Sequence, residues 1–430
     1  MKIIDAAFRS NVLFSYGSQA LKLALGFAWA TLLVKQAGIE LYGAITLLTA
    51  LAAMTSALLT FRTNEAVVQF HRLAEHQGDH GMARLALLAG LALDAIGACV
   101  ILVSAYLLAP LISKLLLKDA ALAPSVELYS WVMVAIFVRG TGIGLLAARD
   151  RFKVINVFIV MEQLGKLLIL IWMLYIGIEL SLENIVWVIL LVTGFTTACL
   201  LGLVSSELVA SAGQVLPLSE LRRYFRFTVS TFVSSSLKAA TQNVDSLIVG
   251  GVAGPASAGF YGLIKQFLSP LLILVGPFTE QIHPRFVSAV ADKRFVDILQ
   301  TITDVGTKIW KWSAVLSLCI SVAISIYWVT VGLPMTATNV LAFVFLLAST
   351  LLLQQLWWTR GLALSINPGI SIRANVYYGL VMLSAVTTLA MLFGLAGGAC
   401  GVLVTSVVIV LYWRGILRKW LPSTGSRVAS

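Results

Sequence analysis

Apolar stretches of roughly 20 residues follow one another along almost the whole chain, and no other feature limits the fold as strongly. A helix needs about 20 apolar residues to cross the hydrocarbon core of a bilayer. Twelve windows satisfy that condition, so we expect an all-α integral membrane protein of twelve transmembrane helices. The predicted spans lie near residues 11–34, 41–61, 84–109, 125–148, 154–177, 184–206, 228–251, 258–281, 309–331, 338–360, 375–394 and 397–414.

Composition excludes most other classes of protein. Only 11% of the 430 residues are charged and the mean hydropathy is +0.95, whereas soluble domains carry about 25% charged residues. Soluble, disordered and fibrous folds are excluded on this ground. The four cysteines are far apart in apolar runs and no metal-binding spacing occurs, so we expect neither a metal nor a cofactor.

The distribution of Lys and Arg predicts the orientation in the membrane. Of the 30 basic residues, 22 fall in the termini and loops of one side, three in loops of the other side and five inside spans. Because cytoplasmic loops are enriched in Lys and Arg, we expect both termini in the cytoplasm. The same rule explains the net charge of +11 without a nucleic-acid partner.

An internal repeat divides the chain into two halves. Spans 1 and 2 share a lysine, a glycine and a Tyr-Gly pair, in the same order, with spans 7 and 8. The first set is Lys22, Gly38, Tyr42 and Gly43, and the second is Lys238, Gly254, Tyr261 and Gly262. We predict six-helix bundles over residues 1–210 and 228–430, related by pseudo-two-fold symmetry and joined by a cytoplasmic linker over residues 211–227.

Eight ionisable residues fall near the centres of predicted spans, where each costs about 2.5–3.5 kcal/mol to insert. They are Lys22, Asp94, Arg139, Glu162, Lys166, Lys238, Asp245 and Lys265. Such groups must face protein or water instead of lipid. Because five are basic and three are acidic, a cavity that they line carries a positive surplus and prefers an anion. We therefore predict that the five basic residues bind an anionic substrate.

Polar residues form one stripe on span 1 and one on span 7, at the spacing of a helix face. The stripes comprise Ser18, Gln19 and Lys22 in span 1, and Ser234, Lys238, Thr241, Gln242 and Asp245 in span 7. A lysine within each stripe indicates a hydrated lumen. The alternative is a helix–helix interface joined by hydroxyl groups and small residues.

The three acidic residues of the spans allow two interpretations. Glu162 lies four residues from Lys166, and Lys238 lies seven residues from Asp245, so each pair shares a helix face. Each pair is either a structural ion pair, which only permits insertion of the charges into the membrane, or a pair that opens and closes during function. The candidates for coupling to H⁺ or Na⁺ are Asp94, Glu162 and Asp245.

The segment between spans 2 and 3 is rich in charged residues and is expected to be a loop. Arg62 and Glu65 stand at its start, at the cytoplasmic end of span 2. They either flank a cytoplasmic entrance for the substrate or form an ordinary salt bridge of a loop.

Two local patterns resemble the multidrug/oligosaccharidyl-lipid/polysaccharide (MOP) exporter superfamily. Residues 32–34, Gly38 and Tyr42-Gly43 resemble the start of its first half, and residues 244–251 and 258–261 resemble the start of its second half. With the twelve spans and the six-plus-six layout, the resemblance covers nearly the whole chain. The polysaccharide-transport branch is the most similar, because its members share the length, the short loops and a cationic lumen.

This resemblance implies a MATE-like fold with alternating access. It implies a flippase that moves undecaprenyl-diphosphate-linked oligosaccharide, an O-antigen or exopolysaccharide repeat unit, from the cytoplasmic to the periplasmic leaflet of the bacterial inner membrane. The implied partners are this substrate, membrane lipids and other polysaccharide assembly proteins, with H⁺ or Na⁺ antiport as a further drive. The family's basic lumen maps to Lys22, Arg139, Lys166 and Lys238, and Asp245 matches the acidic residue of its span 7 motif.

Other functions remain as alternatives. A multidrug or cation antiporter of the same fold needs an acidic cavity, against the five-to-three basic excess. A membrane-embedded polysaccharide polymerase or ligase needs a reactive site, but the sequence has no nucleophile–base pair, phosphate loop or metal cluster, so we expect no enzyme. A non-transporting scaffold has no need for eight ionisable residues in its spans.

Overall fold

The computed structural model describes residues 2–59, 61–229, 232, 243–291, 295–359, 362–363 and 368–420. Side chains are described for these residues except 2–13, 218, 276–285, 287–291, 295, 368 and 418–420. All regular secondary structure within these ranges is helical, which confirms the predicted class. The chain separates into two compact units, Met1–Asn243 and Val244–Ser430.

The first unit contains the helices that correspond to predicted spans 1 to 6, together with α2 between spans 2 and 3. They are α1 (Lys2–Leu59), α2 (Thr63–Gln77), α3 (His80–Ile112), α4 (Ala123–Val138), α5 (Gly140–Ala148), α6 (Phe152–Tyr175) and α7 (Leu182–Ala210). A π-helical turn, Ser113–Leu117, follows α3, and short 3₁₀ turns occupy Ala120–Leu122 and Leu218–Glu220. Helix α1 packs mainly against α6, and α4 packs against both α3 and α7.

The second unit is built from four long helices in its described part. They are α8 (Val244–Ala291), α9 (Phe295–Val331), α10 (Ala337–Gln354) and α11 (Pro368–Trp420). Helix α11 packs against α8 and α10, and α9 packs against α8. One core of this unit is rich in tryptophan: the rings of Trp358 and Trp413 meet edge to face at 6.2 Å.

Nine helices of the described residues are long and apolar enough to span a membrane. Three of them are unusually long and have a non-helical glycine inside, at Gly38 in α1, Gly254 in α8 and Gly394 in α11. Each glycine lies where the sequence predicts a boundary between two spans. Most of predicted span 7 lies outside the described residues, so the count of twelve spans stays a prediction.

Gly38 and Gly254 share one unusual backbone conformation. Their φ and ψ angles are 87° and 165° at Gly38, and 88° and 172° at Gly254. This region is essentially open only to glycine. The two positions are those that the sequence repeat pairs, so the repeat is present in the backbone as well as in the sequence.

The charged segment expected to be a loop after span 2 is instead the helix α2. Its sequence is amphipathic: Ala66, Phe70 and Ala74 lie on one face and are buried in a core with residues of α3. The prediction of a loop was wrong because the charged residues fall on the opposite face, where solvent satisfies them.

Part of the predicted linker also packs into this core. Tyr224 is fully buried, and its ring lies 5.2 Å from the ring of Phe70. Leu216, Leu221 and Phe227 pack around the same cluster. The end of the predicted linker therefore belongs to the first unit, while the bundle limits at residues 210 and 228 stay predictions.

We predict that Gly38→Ala and Gly254→Ala each destabilise the protein by about 1–3 kcal/mol, because a Cβ is strained at these φ and ψ angles. The control is Gly202→Ala in α7, where an added Cβ meets nothing within 4 Å. That substitution should be neutral or stabilise by up to about 1 kcal/mol. Thermal unfolding of the purified variants in one detergent measures all three, and equal shifts at the three positions would contradict the assignment.

Candidate functional site

Four polar residues meet in the first unit: Glu162 and Lys166 of α6, Thr193 of α7, and Arg139 between α4 and α5. Lys166 Nζ donates to Glu162 Oε1 at 2.7 Å, and Arg139 Nη1 donates to Glu162 Oε2 at 2.9 Å. Thr193 Oγ1 of α7 donates to Glu162 Oε1 at 3.3 Å. The side chains of Glu162, Lys166 and Arg139 are 12%, 14% and 28% exposed. One carboxylate is thus shared by two cations in a largely desolvated place.

Lys22 of α1 adds a third cation to this group. It is half-buried and lies within electrostatic range of Glu162, Lys166 and Arg139. Among the described side chains it has neither a hydrogen-bond nor a salt-bridge partner. The arrangement therefore holds three cations and one carboxylate, a formal surplus of two positive charges. We name Lys22, Arg139, Glu162 and Lys166 the cationic cluster.

The polar stripe of span 1 reaches the cationic cluster from α1. Ser18 is buried, and its Oγ donates to the carbonyl oxygen of Phe14 at 2.8 Å, so the hydroxyl is satisfied within its own helix. Gln19 is half-buried. The hydrated lumen along this stripe stays a prediction.

Asp94 is fully buried and is paired with hydroxyl and amide groups. Its Oδ1 accepts from Thr63 Oγ1 at 2.6 Å, and its Oδ2 accepts from Thr141 N at 2.9 Å and from Thr141 Oγ1 at 2.7 Å. No cation approaches it among the side chains that the structure describes. Of the two alternatives predicted for Asp94, an ion pair is therefore not formed, and coupling stays a prediction.

The contact of Asp94 with Thr141 lies beside a break in predicted span 4. Helix α4 ends at Val138 and α5 begins at Gly140, with Arg139 between them. Asp94 accepts the backbone N–H of Thr141 at the start of α5, as an N-cap residue does. Gly140 leaves room for the side chains around Asp94, because a Cβ there would lie 2.7 Å from Thr63 Oγ1. Arg139 therefore stands next to this break when it donates to Glu162.

A small cavity opens beside the cationic cluster. It has a volume of about 90 Å³ and is lined by Arg139 and Glu162, by Thr196 and by apolar residues of α5, α6 and α7. This volume suffices for a few water molecules. Arg139 and Glu162 therefore line a space that is large enough for water.

The second unit has a smaller ionic group around Asp245. Lys265 Nζ lies 3.0 Å from both Oδ1 and Oδ2 of Asp245, and it donates to Ser246 Oγ at 3.3 Å. Tyr261 Oη donates to Asp245 Oδ2 at 2.6 Å. Asp245 is 6% exposed and Lys265 is 34% exposed. Lys265 is thus one partner of Asp245, and the predicted pairing with Lys238 stays a prediction because Lys238 lies outside the described residues.

The repeat places a different contact at the corresponding positions of the first unit. The two copies of the repeat are 216 residues apart up to the glycine and 219 residues apart after it. Asp245 and Tyr261 therefore correspond to Trp29 and Tyr42. The rings of Trp29 and Tyr42 lie 6.3 Å apart and are tilted by 55°. An aromatic contact in one unit thus occupies the place of a hydrogen-bonded carboxylate in the other.

Four other predicted site residues lie outside the described residues, so their roles stay predictions: Ser234, Lys238, Thr241 and Gln242. Arg62 Nη1 and Glu65 Oε1 are 3.4 Å apart on the exposed start of α2. This is the geometry of an ordinary salt bridge, and an entrance for the substrate stays a prediction.

Several residues of these groups were not among the predicted ones. Thr63, Thr141 and Thr193 carry no charge and stand on helices other than those of their partners, so helical spacing cannot find them. Tyr261 has a signal, because the sequence repeat already marks its Tyr-Gly pair. Arg149 was counted as a loop residue, but it bridges Glu75 at 3.2 Å and Glu207 at 2.5 Å.

Comparison with known proteins gives one family match. Residues 8–290 match the profile of a family described as polysaccharide biosynthesis protein. This segment covers about two thirds of the chain. No curated protein matches the sequence at a significant level.

Solved structures of transporters have the same fold. A multidrug resistance MATE family transporter of the MOP superfamily in an inward-facing conformation matches with a TM-score of 0.75 and 12% identity, over 96% of this chain and 99% of that chain. The lipid II flippase MurJ in an inward closed conformation matches with 0.70 and 14%, over 95% and 87%.

A MOP superfamily transporter from Pyrococcus furiosus, described as having a binding pocket of reverse polarity that suggests a different function, matches with a TM-score of 0.64 and 13% identity, over 96% and 95%. Similarity at such low identities shows the fold alone. It confirms the MATE-like fold that the sequence predicts.

We predict that Glu162→Gln destabilises the protein by about 2–3 kcal/mol, because two largely buried cations lose the charge that compensates them. The matched control is Glu220→Gln, since Glu220 pairs with Arg223 at 3.4 Å on the exposed surface. Its loss should change stability by at most about 0.5 kcal/mol. Thermal unfolding in detergent compares the two, and a Glu162→Gln shift no larger than that of the control would refute a cooperative ion group.

Proposed function

The chain belongs to the family of polysaccharide biosynthesis proteins and has the fold of MOP transporters, and from this premise we propose that it is a lipid-linked oligosaccharide flippase. The substrate in this proposal is an undecaprenyl-diphosphate-linked oligosaccharide, such as an O-antigen or exopolysaccharide repeat unit. The protein moves it by alternating access from the cytoplasmic to the periplasmic leaflet of the bacterial inner membrane. Both termini then lie in the cytoplasm.

The charge of the cationic cluster is the observation that carries this proposal. Three cations and one carboxylate leave a surplus of two positive charges, and a diphosphate carries about two negative charges. The same surplus of positive charge would repel a cationic drug. The cluster therefore supports an anionic substrate over a multidrug or cation antiporter.

The cationic cluster contains donors that suit a diphosphate. Lys22 has no partner among the described side chains, so its three N–H donors are available to a ligand. Arg139 uses Nη1 for Glu162, and its planar guanidinium can offer further donors to two phosphate oxygens at once. The isoprenoid chain stays in lipid while the headgroup passes the cationic cluster.

Competition for the same cations gives a physical route to ion coupling. A diphosphate that binds Arg139 and Lys166 takes away the two cations that now neutralise Glu162. A buried carboxylate without a cation favours uptake of H⁺ or Na⁺. Substrate binding and release are thereby linked to ion uptake and release at Glu162.

The membrane potential acts in the direction of export. Moving one charge across 100 mV corresponds to about 2.3 kcal/mol. An anionic headgroup that leaves an interior-negative cytoplasm moves down this potential.

We predict that Lys22→Gln lowers translocation by roughly ten- to a hundredfold, because one charge-assisted hydrogen bond to the substrate is lost. Lys22 suits this test since no described residue depends on it for a hydrogen bond. Lys35→Gln is the matched control, because Lys35 is an exposed lysine of the same helix α1. Leaflet-resolved labelling of lipid-linked oligosaccharide, in cells that carry equal amounts of each variant, measures the effect.

A second arm of this experiment distinguishes the alternative functions. Cells that lack the protein should retain lipid-linked oligosaccharide in the cytoplasmic leaflet and should keep their tolerance to cationic drugs. Loss of drug tolerance with normal leaflet distribution would support an antiporter of cations. Normal translocation in the Lys22→Gln variant would overturn the assignment of the cationic cluster.

A further inference from the structure

The second unit contains a cavity that takes no part in the proposed transport site. It has a volume of about 380 Å³ and lies between α9, the end of α10 and the last part of α11. Its walls include Gly306 and Trp310 of α9, Trp357 after α10, and Arg414 of α11. Sites for small ligands are typically clefts of about 300–1,000 Å³ with mostly apolar walls and a few polar groups.

The charge pattern places this cavity at a boundary of the membrane. Helix α9 has 37 residues, and at about 1.5 Å per residue it is far longer than the hydrocarbon core of about 30 Å. Its charged residues all precede Trp312, and α11 has none between Arg373 and Arg414. Gly306 and Arg414 therefore lie where the apolar segments give way to polar ones.

Aromatic side chains and a glycine shape the interior of the cavity. A Cβ on Gly306 would meet only Trp357 Nε1, at 3.8 Å, so the glycine keeps the space in front of this indole open. Trp357 and Trp358 are buried, whereas Trp310 is half exposed at the edge. Such walls suit a hydrocarbon chain, and tryptophan is enriched at membrane–water interfaces.

In the described part of the chain, the rim of the cavity carries one positive charge, that of Arg414. Arg414 is exposed, and its Nη2 donates to Gln355 Oε1 at 3.0 Å, which orients the guanidinium. No Asp or Glu lines the cavity among the described residues. An apolar interior with a cationic rim is complementary to an amphiphile that has an anionic head.

We propose that this cavity binds an anionic membrane phospholipid. One acyl chain lies against Trp310 and Trp357 in the space kept open by Gly306, and the phosphate meets the guanidinium of Arg414. Free phosphate lacks the apolar part that the walls require, and a zwitterionic lipid brings an ammonium group to a cationic rim. The proposal does not depend on the transported substrate, because lipid binding is measured without transport.

Native mass spectrometry of the full chain, purified in detergent and incubated with phosphatidylglycerol, tests this proposal. Gly306→Leu fills the cavity and Arg414→Gln removes the rim charge, and each should weaken retention of the lipid about tenfold. Gly202→Leu adds the same side chain to open space on α7. Arg373→Gln removes another exposed arginine of α11, and both controls should bind as the unaltered protein does.

Further arms keep the proposal open to refutation. Trp310→Ala removes one wall at a half-exposed position and should also weaken retention, even if Gly306→Leu does not fold. Phosphatidylethanolamine should be retained about tenfold less than phosphatidylglycerol. Equal retention of the two lipids, binding of inorganic phosphate in place of lipid, or unchanged retention in folded Gly306→Leu and Trp310→Ala would each overturn the proposal.

Discussion

Asp94 is a buried carboxylate that no described cation approaches, and its hydrogen bonds join three helices in the interior of the first unit. Asp94 is surrounded by protein and accepts three hydrogen bonds from Thr63 and Thr141. Hydrogen bonds to charged groups contribute about 1.5–3 kcal/mol each, and a buried charge that lacks them is strongly destabilising. The start of α2, the middle of α3 and the start of α5 are therefore held together at one point. The break before α5 exists because Asp94 satisfies the backbone there.

The cationic cluster lies next to that break. Arg139 stands between α4 and α5, and its guanidinium donates to Glu162 on α6. Glu162 then holds Lys166 on its own helix and Thr193 on α7. These contacts link α6 with α7 and with the junction of α4 and α5, and Lys22 of α1 lies within electrostatic range of them. In the proposed function, these same side chains bind the anionic headgroup.

Sequence periodicity predicted what lies on one helix and missed what lies between helices. The apolar windows, the pair of Glu162 and Lys166 and the repeated glycines follow from spacing along the chain. The contact of Glu162 with Arg139 spans 23 residues and that of Asp94 with Thr141 spans 47, so no helical period connects them. The contact of Asp245 with Lys265 spans 20 residues across the bend at Gly254, so helical spacing does not predict it either.

Helix α2 shows a different reason for failure. Its charged residues suggested a loop because charge is rare elsewhere in this chain. The three-to-four spacing of Ala66, Phe70 and Ala74 was the more informative signal. In a membrane protein, amphipathic segments outside the spans resemble loops in hydropathy but not in periodicity.

Different kinds of contact accompany the bends at Gly38 and Gly254. At Gly38 the segments before and after the bend are joined by the rings of Trp29 and Tyr42, an apolar contact that is indifferent to ions. At Gly254 the corresponding segments are joined by the ion pair of Asp245 and Lys265 and by the hydrogen bond from Tyr261 to Asp245. The same glycine conformation is thus accompanied by an aromatic contact in one unit and by a charged contact in the other.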